Sequence, residues 1–187
     1  AMRPRWPTSS WSTARRRLLR PLREETLALA QALVRADTVA IPPDGHETAA
    51  QKRLASALRR HGIDVELYDT GFLSRSRHRF VRRDRNYRGR HNLVARVPGT
   101  GRGRSLLLSG HVDTVPTRPN PWRDSPWSGA IRRGRLYGRG SWDMKGGLAA
   151  QCAVAIALRK AGLRPGGDLI VESVVDEEFA GGGGTLA

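Results

Sequence analysis

The sequence predicts an α/β fold built on a mixed, largely parallel sheet with flanking helices. Two observations carry that expectation. Three stretches have apolar residues at helical spacing, and four short β-type apolar runs alternate with them. Gly- and Pro-containing breaks separate most of these segments.

In chain order, residues 1–22 read as a basic, disordered tail, interrupted by Pro4, Pro7 and Pro21. From Arg23 to Arg35, Leu29, Leu33 and the intervening alanines fit a helix, opened by Glu24 and Glu25 near its positive end. Ile41-Pro42-Pro43-Asp44-Gly45 is a break. A second helix over His46–Arg60 sets Ala50, Leu54, Ala57 and Leu58 on one stripe, with Gly62 as its stop. Ile63, Val65 and Leu67 alternate with Asp64, Glu66 and Tyr68, the pattern of a half-buried strand. Leu93–Val97 reads as a strand ended by Pro98-Gly99. Leu106-Leu107-Leu108 is wholly apolar and predicts a central strand covered on both faces. Residues 130–137 form a strand or hairpin arm. Leu148, Cys152 and Ile156 lie four apart on a helix over Met144–Lys160, and Leu169–Val175 is another buried strand. Residues 23–187 thus form one domain.

Composition excludes several classes. The chain has 187 residues and one cysteine, Cys152, so no disulfide framework exists. No apolar run approaches the ~20 residues of a membrane span or the ~7–15 of a secretory signal core. A soluble, cytoplasmic protein is expected. The net charge of +16 raises a nucleic-acid reading, but it is unevenly placed: residues 1–23 carry +7, residues 75–90 carry +7, and the remainder only +2. The first segment also has the Arg- and Ser-rich, acid-free composition of an organelle transit peptide. The second, SRSRHRFVRRDRNYRGR, interleaves arginine with Phe80 and Tyr87 as a single-strand-binding groove would. Its plain reading is a solvated, mobile loop.

Three segments carry chemistry: SGHVDTVP (109–116), GRGSWDMKGG (138–147) and VVDEE (174–178). Each follows or adjoins a predicted strand end, where open α/β sheets bind ligands. His111 and Asp113 leave an extended segment on the same side. A metal-binding imidazole usually donates its second N–H to a carboxylate, and Asp113 suits that role. Asp143 opens a helix, whose free N–H groups favour a carboxylate. Glu177 and Glu178 at an apolar strand end repel each other unless a cation or proton compensates. Imidazole with carboxylates suits zinc or a similar divalent ion. GRGSWD departs from a dinucleotide fingerprint at Asp143, and Lys145 lacks the following Ser or Thr of a Walker loop. His46-Glu47 opens like HExxH, but Ala50 stands where the second His belongs. No G-x-S-x-G elbow occurs.

In this order the three segments resemble the dinuclear zinc metallopeptidase and deacylase family of acetylornithine deacetylase, succinyl-diaminopimelate desuccinylase, aminoacylase and carboxypeptidase G. The likeness runs from Glu24 to the C-terminus and includes GRHNLVARVPG, WRDSPWSGAIRRGRLYGRG and EEFAGGGGT. It implies a zinc-exopeptidase-like catalytic domain binding two divalent metal ions, zinc above all, with cobalt or manganese as alternatives. His111 is then a ligand of one metal, Asp143 the bridging carboxylate, and Glu178 a ligand of the second. Glu177 is the general base and Asp113 the acid that orients His111. A cis peptide at Asp143–Met144 is also implied. The implied reaction is hydrolysis of an amide in an N-acyl amino acid or small peptide, without a membrane or nucleic-acid partner, by enzymes that often form homodimers.

Family members continue with a further metal carboxylate, a lid domain and a late histidine. Only nine residues follow Glu178. The expectation is therefore a catalytic domain cut short before its lid, binding metal weakly and inactive alone. Two alternatives stand beside it: a basic nucleic-acid-binding protein, and a non-catalytic remnant that needs a second chain.

Overall fold

The computed structural model describes residues 11–117 and 121–187, and the side chains of all of these except 11–21. The elements follow as α1 (Trp11–Arg35), β1 (Ala40–Ile41), β2 (Asp44–Gly45), α2 (Thr48–Arg59), β3 (Asp64–Asp69), β4 (His91–Val97), β5 (Leu106–His111), β6 (Ala130–Arg132), β7 (Arg135–Tyr137), α3 (Lys145–Lys160) and β8 (Leu169–Val174), with 3-10 turns at Thr70–Arg75 and Glu177–Phe179.

The first helix starts twelve residues before its predicted opening at Arg23. Between Trp11 and Arg20 the chain has only residues that accept a helix, mostly Ala, Arg and Leu. Pro21 lies inside this helix, where a proline removes one N–H from the ladder and crowds the preceding turn at a cost of about 3 kcal/mol. The helix thus includes residues 11–22 of the segment read as a tail. Residues 1–10 lie outside the described residues.

The main sheet has the order β3-β4-β8-β5. It is mixed, as expected, but only β5 and β8 run parallel, whereas β3–β4 and β4–β8 are antiparallel. A parallel neighbour needs a crossover that returns the chain to the starting end. Between β5 and β8, α3 supplies one. Between β3 and β4 the chain only makes the loop 70–90, so those strands reverse. Smaller antiparallel pairs join β1 to β2 and β6 to β7.

Leu93, Ala95 and Val97 of β4 and Leu169 and Val171 of β8 are buried with Leu54 and Leu58 of α2 and Leu148, Cys152 and Ile156 of α3. The alternate residues Val94 and Ile170 are only half-buried. One face of the sheet therefore packs under α2 and α3, and α1 lies against α3. β5 is not the central strand that its three leucines predicted. It sits at the sheet edge, with Leu106 56 % and Leu107 54 % exposed. An apolar triplet reports hydrophobicity, not how many strands flank it. No described helix is long and apolar enough to cross a membrane.

The Arg-rich loop is not simply solvated. Tyr87 is fully buried, and its hydroxyl accepts from the Arg82 N–H at 3.0 Å. Arg85 and Arg90 are buried and ion-paired. Two of the eight arginines that suggested a nucleic-acid groove are thus internal.

Candidate metal centre

Because β5 and β8 are parallel neighbours, their carboxyl ends finish side by side, with His111 opposite Val174. The register continues one residue further: the Val112 N–H donates to the Val174 carbonyl at 2.9 Å. Thr38 holds the strand exit from the other side, its hydroxyl donating to the Val112 carbonyl at 2.7 Å. This is the crevice at the strand ends where the sequence set its candidates.

Asp113 is fully buried and joins the two strand ends. Its Oδ1 accepts from the Glu177 N–H at 3.3 Å and its Oδ2 from the Glu178 N–H at 3.1 Å. The same Oδ1 lies 3.5 Å from His111 Nδ1. Nδ1 also lies 3.1 Å from the Asp113 carbonyl, which can only accept, so Nδ1 carries a proton. Nε2 faces Asp143 Oδ1 at 3.0 Å and Glu177 Oε2 at 3.6 Å. Asp113 thus lies against the Nδ1 side of His111 and also accepts from the backbone of both glutamates.

Burial alone would lower the His111 pKa, but the carboxylates of Asp113 and Asp143 overcome it and push it up to about 9. Glu178 is raised above the usual carboxylate range, first by burial and then by the negative charge of its neighbours, against the pull of His111.

Asp143 arrives from the third segment. It was expected to open a helix, but α3 begins at Lys145, and Asp143 turns its carboxylate to His111 instead of to the helix N–H groups. The Asp143–Met144 peptide is cis. Lys145 is buried beneath, its ammonium donating to the Ala36 carbonyl at 2.9 Å, and burial lowers its pKa to about 8. Gly140, three residues before Asp143, has φ +77°, and a Cβ there would lie 2.7 Å from Thr114 Cγ2 and 3.0 Å from Lys145 Cδ. Gly140→Ala is expected to cost at least about 1–2 kcal/mol in urea unfolding from the left-handed backbone alone.

His111, Asp143 and Glu178 each offer a ligand atom, and these atoms all lie within 4.8 Å of one another. The donor set fits a divalent cation. Although the chain has 33 lysines and arginines, among the described residues none pairs with Asp143, Glu177 or Glu178. An imidazole facing carboxylates that no lysine or arginine neutralises is a donor set that suits zinc-like ions.

Sequence reasoning missed a second charge cluster behind the glutamates. Arg85 and Arg90 converge on Asp176, and Arg90 also pairs with Glu47. Glu47 had been passed over as part of a failed HExxH. The one local signal was Asp176 itself, an acid directly after the apolar pair Val174-Val175.

Residues 107–187 match peptidase family M20/M25/M40. The chain is 32 % identical over 167 residues to N-formyl-4-amino-5-aminomethyl-2-methylpyrimidine deformylase of Bacillus subtilis (strain 168), covering 88 % of this chain and 35 % of that one. It is 35 % identical over 164 residues to succinyl-diaminopimelate desuccinylase of Methylobacterium radiotolerans, covering 87 % and 37 %. In fold it is similar to human carnosine dipeptidase 1, with TM-score 0.63 and 18 % identity over 84 % of this chain and 34 % of that one. The chain therefore spans little more than a third of the length of these proteins.

Proposed function

We propose, from the match of residues 107–187 to peptidase family M20/M25/M40, that the chain belongs to that family and supplies part of the active site of a metal-dependent amidohydrolase. The substrate class is an N-acyl amino acid or small peptide. The observation that carries this reading is the convergence of His111, Asp143 and Glu178 from three separate elements to within 4.8 Å.

In this reading His111 would hold one metal, Glu178 the second, and Asp143 would serve as a ligand to both. Two divalent ions, zinc foremost, would supply Lewis acidity toward the amide carbonyl and make a water acidic near neutral pH. Glu177 then takes the proton from the attacking water and returns it to the leaving amine. Its Oε2 lies at 3.6 Å from His111 Nε2, on the open side of the site. Asp113 keeps the imidazole in the Nδ1–H state throughout. Three protein donors serve two metal positions here, against the three plus water that catalytic zinc normally keeps at one. The 187-residue polypeptide alone is expected to bind metal weakly and to turn over no substrate at a useful rate.

Titration of this polypeptide with Co2+ or Zn2+ tests the assignment. Glu178→Gln is expected to weaken binding by roughly 10-fold or more, since loss of even a partner behind a metal ligand costs about that much, while Glu177→Gln leaves it nearly unchanged. The opposite pattern would reverse the two roles. A parent chain that takes up neither ion would sink the metal reading.

A further inference from the structure

The Glu177–Glu178 turn is gripped from behind by a buried arginine. Arg85 Nε donates to Asp176 Oδ1 at 2.7 Å, and its Nη2 reaches the same oxygen. Its guanidinium carbon also stands 5.0 Å from the centroid of the Phe179 ring. One side chain thus touches the residue before the two glutamates and the residue after them. Arg90 adds a third donor to Asp176 Oδ1 at 3.0 Å and is itself paired with Glu47.

Asp176 needs holding. Its backbone is left-handed, φ 67° and ψ 17°, and this reverses the chain so that the next two residues face His111. Its carbonyl then accepts from the N–H of Phe179 at 3.3 Å and of Gly181 at 2.9 Å. Asp is among the few residues that visit this conformation, and it does so at a cost that surrounding contacts must offset. Gly183 packs closely on it, so that a Cβ there would meet Asp176 Cβ at 2.9 Å.

We propose that Arg85, backed by Arg90, is a positioning residue of the metal centre: it fixes Asp176 and Phe179 so that the carboxylates of Glu177 and Glu178 are presented to His111 and Asp143. The proposal deepens the metal reading above and rests on it. It also assigns a role to part of the Arg-rich segment, which neither charge nor composition explains. A pair present only to neutralise the interior would have no reason to contact both flanks of the two glutamates.

The test uses Arg85→Met, which keeps an apolar stem, and Arg85→Lys, which keeps the charge but loses the fork. Amide hydrogen exchange of the metal-free chain gives the first readout. In Arg85→Met the amides of 177–179 are expected to exchange at least about tenfold faster, while those of α3 and β8 stay as in the parent. Co2+ binding gives the second: affinity falls roughly 10–100-fold, with an altered visible absorption band. Arg85→Lys recovers only part of both. The proposal is overturned if Arg85→Met leaves the 177–179 amides and the Co2+ spectrum unchanged. It is overturned equally if α3 and β8 loosen together with the turn, because Arg85 would then be a general core ion pair. Absence of Co2+ uptake by the parent removes the metal reading alone, since the exchange result still decides whether the arginine grips the turn.

Discussion

Asp113→Ala is expected to lower metal affinity by roughly 10–100-fold, comparable to loss of other partners that orient metal ligands. It is also expected to destabilise the metal-free fold by several kcal/mol, of order 3–5, as for breaking a buried charge pair. The residue does three jobs with two oxygens. It holds the Nδ1 side of His111, and it takes the N–H groups of Glu177 and Glu178. Removing it orphans two amides at the rim of the crevice, each costing about 1–3 kcal/mol if they stay dry. It also takes away the carboxylate that contributes most to raising the His111 pKa. Asp113→Asn separates the effects, since its carboxamide oxygen can still accept one amide while the charge is gone. Urea unfolding and Co2+ titration of both variants are the measurements. If Asp113→Ala bound Co2+ as well as the parent, the strand-end junction would have no part in holding the site.

The candidate ligands were legible because each stands at or just beyond the end of a strand or just ahead of a helix, inside a segment whose neighbours are also distinctive. His111, Asp143 and Glu178 are short-range events of that kind, and the chain order of their segments supplied the rest. Asp113 was half legible. Its two-residue spacing from His111 pointed to the imidazole, but its bonds to the Glu177 and Glu178 amides depend on β5 and β8 lying parallel and in register. No local pattern reports that register.

The arginine cluster was illegible for a related reason. Glu47, Arg85, Arg90 and Asp176 are 43, 86 and 91 positions apart in their pairings. A run of eight arginines in sixteen residues reads as solvent-facing, because burial of a charge is expensive and is the exception. Only the fold reveals which two face inward. The edge position of β5 was hidden in the same way, since Leu106 and Leu107 carry apolar side chains whether or not another element covers them. The extension of α1 back to Trp11 was hidden instead by Pro21, a breaker by composition that the helix accommodates.

The buried cluster leads to the other large effect. Arg90→Met is expected to destabilise the chain by about 3–5 kcal/mol at pH 7, because it removes one partner of a buried ion pair and leaves the other in place. Arg90 Nε donates to Glu47 Oε2 at 3.1 Å and its Nη2 reaches Glu47 Oε1, whereas Asp176 keeps Arg85 when Arg90 is lost. Glu47 therefore bears the loss. Burial already holds its pKa above the ordinary 4.5, and Arg90 is the chief influence pulling it back down. Without Arg90 the folded-state pKa rises further. A carboxyl whose pKa is higher in the folded than in the unfolded state binds more protons when folded, so stability increases as pH falls through that folded value and levels off below 4.5. The deficit of Arg90→Met should thus be largest at pH 7 and shrink on acidification toward pH 5, relative to the parent at each pH. Arg82→Met serves as the comparison, since the exposed Arg82–Asp84 pair is screened by water and its loss should leave the unfolding curve in place. Equal, pH-independent losses for Arg82→Met and Arg90→Met would mean that Glu47 remains charged and solvated, and that the inward-facing arginine does no more for the fold than its exposed neighbour.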